Sequence, residues 1–362
     1  MAFAVWLENR TPFATATHVQ VDAEGQEILV ALFSASFDAL DGAPELQVSE
    51  DQMPVSLRDV PFGDPANSSN RYEADIAPLK PGAEVLVNGS ARAPNHRPVA
   101  EMHVGVRLGA LQKVLNVVGD RVYHAGSFSQ PAPFLAMPIV YERAYGGTLP
   151  DGRLDRRNPV GVGYHGARSA DPAVRTQAPN VTYPGEPCSS PSDRPRPAGF
   201  GPLGRGWLPR LPLAGTYDQA WIDTQWPLPP RDFDPLYNFS APADQHLPQV
   251  RGGEPVSIIG MTPNGRWDFR LPQVVAPIRL IYDDRVEQCS FNIDTVIIEP
   301  DLWRVTLKAR LALPTRRNAP SLREIVFGQP SPGWLNARRK RKIYLDLRGG
   351  DGMLRDQPVW RP

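Results

Sequence analysis

Several stretches of the chain hold residue types whose spacing could do chemistry. Gly161-Val162-Gly163-Tyr164-His165-Gly166 fits the pattern G-x-G-x-x-G, whose glycines bring backbone amides up to a pyrophosphate at a helix N-terminus. That use needs a strand before the glycines and a helix opening at them. Asn158-Pro159 precedes the motif and Ser169 to Pro172 follows it, so the preferred reading is glycines turning a loop. Asp232-Phe233-Asp234 and Asp283-Asp284 could supply paired carboxylates for glycoside hydrolysis. Such acid and base groups come from separate strands, however, and stand about 5–10 Å apart across the sugar. Pro229, Pro230 and Pro235 frame the first pair as a turn. Arg338 to Lys342 is the one strong charge run, suited to an acidic partner or to nucleic acid; a solvated face is the commoner outcome.

Other constellations are missing. The histidines at 18, 96, 103, 124, 165 and 246 show no His-x-His or HExxH spacing, and a zinc site needs three or four converging ligands. Gly126-Ser127-Phe128-Ser129-Gln130 lacks the second glycine of a nucleophile elbow. Cys188 and Cys289 form neither a disulfide framework nor a Cys-x-x-Cys pair. The reading is no catalytic residue, no metal and no cofactor.

The elements that must position these residues are strands. Proline fixes φ and donates no hydrogen bond, so 41 prolines in 362 residues preclude a chain of long helices. Glu101 to Gly109 alternates strictly, with Met102, Val104, Val106 and Leu108 on one face. A hairpin is expected over Val114–Val118, Gly119-Asp120 and Arg121–Tyr123. Val256–Met261 and Arg266–Leu271 meet across Pro263-Asn264-Gly265, a strong turn signal. Ile293–Ile298 meets Trp303–Leu311, whose Arg304, Thr306, Lys308 and Arg310 are expected to face solvent. Helices are short: Asp218–Gln225, and a capping box at Ser321-Leu322-Arg323-Glu324. The fold class is therefore mainly β, with antiparallel sheets, sandwich- or barrel-like, in an N-terminal region (1–149) and a C-terminal region (256–320). Between them residues 150–255 are rich in proline, glycine and aromatics and read as irregular structure packed on the sheets. A basic tail (321–362) follows.

Formal charge is zero, with 39 basic and 39 acidic residues, which argues against a dedicated nucleic-acid binder. The apolar run at the N-terminus is short and lacks a basic leader, and no stretch approaches the ~20 apolar residues of a membrane span. With two separated cysteines, this reads as a reducing, cytoplasmic setting.

Several phrases stand in order along the chain: Leu7–Phe13, Leu79–Val87, Tyr141–Gly147, Asn158–Gly163, Pro197–Pro202, Trp207–Arg210, Ala214–Asp218, Leu228–Asp234 and Gly252–Glu254. Together they resemble a bacterial family first catalogued as a domain of unknown function, whose members are accessory proteins, or effector adaptors, of the type VI secretion system. The resemblance runs from about Leu7 to about Leu313. Glu84 stands where an aspartate is expected, and the tail after Pro320 lies outside it. The resemblance implies a cytoplasmic chaperone-like adaptor. It would hold a cognate toxic effector, often one with a PAAR-type spike-tip domain, and help load it onto the valine-glycine-repeat spike trimer. Loops rich in Trp, Tyr, Phe and Arg have the composition of such a binding surface. Candidate contacts are Tyr141, Arg143, Trp207, Trp221, Asp232 and Asp234. The alternative is a polysaccharide-acting β-sandwich hydrolase using Asp232 or Asp234.

Overall fold

The computed structural model describes residues 5–124, 127–148, 152–163, 176–190, 193–274, 277–314, 320–340 and 342. Its centre is a seven-stranded mixed sheet. The strands run in the order His246–Leu247, Ala83–Val87, Asn292–Glu299, Arg304–Pro314, Glu27–Ala39 and Ala14–Val21, and Leu46–Val48 pairs beside Glu27–Ala39. Strands of the N- and C-terminal regions thus pair directly: Arg304–Pro314 lies antiparallel to Glu27–Ala39, and Asn292–Glu299 lies parallel to Ala83–Val87. A five-stranded sheet carries Glu101–Leu108 and the Pro255–Ile259/Arg266–Arg270 hairpin. A four-stranded sheet carries Trp6–Asn9, Leu322–Phe327, Ile278–Tyr282 and Val286–Cys289. None of these sheets closes into a barrel among the described residues.

The inner faces meet in one large core. Leu29, Ala31, Phe33, Ala35 and Phe37 alternate along one strand. They pack with Val104, Val106 and Leu108 of the five-stranded sheet and Ile325 and Phe327 of the four-stranded one. Each of the larger side chains contributes roughly 1.5–3 kcal/mol on burial, and the Phe291–Phe327 rings stack at 5.4 Å.

Three local expectations are corrected. Ser321–Glu324 does not open a helix: Leu322–Phe327 is a strand, between Trp6–Asn9 and Ile278–Tyr282. Ile325, Val326 and Phe327 are β-branched or aromatic, and burial between two strands overrides the cap signal. The hairpin partner of Glu101–Leu108 is Leu111–Val118, and Val122–His124 pairs instead with Ser127–Phe128 and Thr176–Gln177. Finally, the polar side of Arg304–Pro314 does not face water; Thr306, Lys308 and Arg310 are buried. The Asn-Gly turn does join its two strands, with Gly265 at φ +76° where a side chain would be strained.

Candidate functional site

Burying that second face creates an electrostatic demand. Its outward row holds Lys308 opposite Ser34 and Thr295, Arg304 opposite Asp38, and Glu84 beside Thr295. An unpaired buried charge costs several kcal/mol, so the chain brings a counter-charge to each. Lys308 Nζ donates to both Asp75 oxygens at 2.9 and 2.8 Å. A β-bulge between Ile293 and Thr295 takes Asp294 out of alternation. There its carboxylate accepts from Arg310 Nε at 2.7 Å. Lys80 Nζ donates to Glu84 and, at 2.7 Å, to Thr295 Oγ1. Burial works to raise the Glu84 pKa, but Lys80 and the amides of Ala241 and Ser240 outweigh it and hold the carboxyl below its ordinary value. Glu73 goes the other way: burial pushes it up, opposed by Arg210 and Arg205, each 2.9 Å away.

Over part of this face the cover does not close. A cavity of about 480 Å³ remains between the sheet, residues 73–80 and a lobe formed by residues 211–238. Lys80, Glu84 and Arg210 line it, as do Tyr217, Phe233 and Tyr237. The lobe is made of tight turns and one short helix, Gln219–Thr224, which Asp218 caps by accepting from the Trp221 amide at 2.9 Å. Side-chain bonds tie it to the rest of the molecule, among them Arg210 Nη2 donating to Tyr237 O at 2.7 Å. Gln225 Nε2 donates to Ala23 O at 2.7 Å, and Asn238 Nδ2 to Leu79 O at 2.7 Å. Its outer surface shows large apolar groups: Trp226 is 66% exposed, Tyr217 58%, Ile222 52% and Leu236 45%. A concave site with aromatic side chains and a few convergent polar groups, beside a lobe with exposed apolar surface, is the form binding sites take.

The six candidate contacts divide three and three about this site. Trp221, Asp232 and Asp234 belong to the lobe. Trp221 Nε1 donates to Leu228 O at 3.0 Å, and its ring meets Tyr217 edge-on at 4.8 Å. Asp232 accepts from the Thr216 amide at 3.0 Å and hydroxyl at 2.7 Å, bonds that hold its pKa below the ordinary value. Asp234 accepts from the Leu236 amide at 2.9 Å and caps the 3-10 turn Pro235–Asn238. Tyr141 and Trp207 are interior residues, not surface anchors: they are 2% and 9% exposed and pack edge-to-face at 5.2 Å. Burial also raises the Tyr141 pKa well above its ordinary value. Arg143, half-buried, donates to Asp120 and Asn180 at 3.1 Å each.

Around Tyr141 the chain ties a second, closed region. The buried Asn158 donates to Tyr141 O at 2.8 Å and Tyr145 O at 3.0 Å. Two of the glycines of G-x-G-x-x-G serve this packing. A Cβ on Gly161 would stand 2.7 Å from Ala144 O, and one on Gly163 2.7 Å from Gly146 O. No strand leads into them; Tyr164, His165 and Gly166 lie outside the described residues. Of the basic run, Arg338 approaches Glu324 at 3.4 Å, Lys340 and Lys342 are exposed, and Arg341 lies outside the described residues. Asp283 pairs with Arg323 at 2.6 Å, and Asp284 with Arg285 at 3.1 Å. Among the described residues no three His, Cys, Asp or Glu gather as a metal site, and no helix is long and apolar enough to cross a membrane.

The model of a family described as an uncharacterized protein conserved in bacteria (DUF2169) matches residues 24–310. The chain belongs to that family. No curated protein and no solved structure matches it. The matched span takes in the seven-stranded sheet from Glu27 to Arg310, most of the cavity lining and the whole lobe.

The cavity is not legible in sequence because its residues come from four distant segments, 20–28, 73–86, 205–240 and 295–308. The available signal was the pairing of phrases: Leu79–Val87, Trp207–Arg210, Ala214–Asp218 and Leu228–Asp234 all contribute side chains here.

Proposed function

We propose that this chain is a cytoplasmic effector adaptor of a type VI secretion system. It holds a cognate toxic effector, with a PAAR-type spike-tip domain, and helps load that effector onto the spike trimer. The observation that carries the reading is convergence. Four of the phrases behind the family resemblance meet at one cavity, and Tyr217, Ile222, Trp226 and Leu236 ring its lobe with exposed apolar surface. A core gains nothing from such exposure, whereas an interface does: Tyr and Trp anchors carry most of the energy of a specific contact. A standard interface buries about 1,600 Å² in total, so the lobe and the cavity mouth would form its centre. The glycan-hydrolase alternative is weaker, because Asp232 and Asp234 are both engaged within the lobe's own turns.

The test is co-expression with the toxin-like protein encoded beside this chain's gene. The expected result is a complex that survives purification, and an effector that is insoluble or unexported when this chain is deleted. An effector that stays soluble and is exported without this chain contradicts the proposal.

A further inference from the structure

The seven-stranded sheet ends on one side in a two-residue strand, His246–Leu247, and on the other in the eight-residue strand Ala14–Val21. The second edge is unlike a protected one. Edge strands are ordinarily blunted by lysine, proline, a bulge or brevity, because a free row of N–H and C=O groups is a template for pairing. Ala14-Thr15-Ala16-Thr17-His18-Val19-Gln20-Val21 has no charge at neutral pH and no proline. It pairs in unbroken register with Glu27–Ser34. Among the described residues no backbone hydrogen bond reaches its outer side. Val19 and Val21 are 54% and 41% exposed on one face.

This edge runs into the cavity. Gln20 and Val21 line it, and the turn that follows is the one the lobe grips through Gln225 and Ala23. We infer that Ala14–Val21 is the docking edge for an extended segment of the adaptor's partner, which adds a strand to the sheet and ends at the cavity mouth. The inference rests on the adaptor reading and names the element recognised. Backbone pairing supplies affinity, and the side chains set the choice. Thr15, Thr17, Val19 and Val21 share one face, so the segment they fit is uncharged and β-branched or aromatic at alternate positions.

Hydrogen exchange on the full chain, alone and in complex with the co-expressed neighbouring toxin, tests this. Alone, amides on the outer side of 14–21 should exchange freely; in the complex they should slow at least a hundredfold. Val19→Lys, at an exposed position, should leave the melting temperature unchanged and weaken the complex at least tenfold, with Val19→Thr restoring it. A complex that forms without protection of 14–21 overturns the inference and leaves the adaptor reading standing. Protection already present in the isolated monomer assigns the edge to this chain's own residues, and protection that tracks dimer formation assigns it to a second copy; either overturns the inference. No complex at all overturns the adaptor reading, and the inference with it.

Discussion

The region around Asn158 and the lobe around Trp226 are built from the same materials: prolines, glycines, aromatics and irregular turns. Yet one is closed and the other open. Around Asn158 large aromatic groups turn inward. Tyr141, Tyr145, Trp207 and Phe200 are buried, and glycines sit where a Cβ would strike backbone. In the lobe the backbone is also capped, by Asp218, Asp232 and Asp234, but Tyr217, Ile222 and Trp226 are exposed, Tyr217 at the cavity. Rigid turns with unspent apolar surface are economical for binding, since little conformational entropy is left to lose. The contrast teaches that composition alone does not locate an interface in this chain; the direction of the side chains does.

The cover beneath the lobe offers the largest effect. Asp75→Ala leaves the Lys308 ammonium buried without a partner, and about 3–5 kcal/mol of stability should be lost. Asp75→Leu with Lys308→Met should recover most of that, read by urea denaturation. A recovery no better than the single variant would mean that the pair specifies the fold as well as neutralising charge.

The closed region supplies a pH-dependent effect. Burial lowers the Lys113 pKa to about 8, only partly offset by Asp244 at 2.8 Å. The unfolded value is near 10.4. Between these the unfolded chain binds the extra proton, so the Lys113 contribution to stability rises as pH increases from about 8 to about 10.4. It should amount to about 3 kcal/mol across that window. The measurable form is a difference: Lys113→Met should flatten the rise relative to the wild type in unfolding curves taken across that range.

Next comes Asn158→Ala. Removing its amide takes one hydrogen bond from each of two buried carbonyls, Tyr141 O and Tyr145 O, at a cost of about 1–3 kcal/mol. Effector affinity, measured below the melting transition, should not change, and that separates the closed region from the open one.

Much of this architecture is legible in sequence. Strict alternation marks Glu101–Leu108, the turn at Asn264-Gly265 marks the hairpin of Pro255–Ile259 with Arg266–Arg270, and Asp218 marks the start of the lobe's helix Gln219–Thr224. The buried charged face is not. Alternate charged residues at Arg304, Lys308 and Arg310 read the same whether water or a counter-charged segment covers them, and Asp75 lies 233 residues from Lys308. Nor does sequence separate Tyr141 and Trp207, which fill a core, from Tyr217 and Trp226, which do not. Large aromatics are favoured in both places, and only the fold decides which way each one points.

The most direct measurement of the central claim takes the double variant Tyr217→Ala, Trp226→Ala. Both rings are exposed and only Tyr217 gives up a packed ring contact, with Trp221, so the stability lost should stay within about 1.5 kcal/mol. Effector affinity, by calorimetry or interferometry, should fall at least a hundredfold, about 2.7 kcal/mol. An effector that binds the double variant as tightly as the wild type would contradict the account.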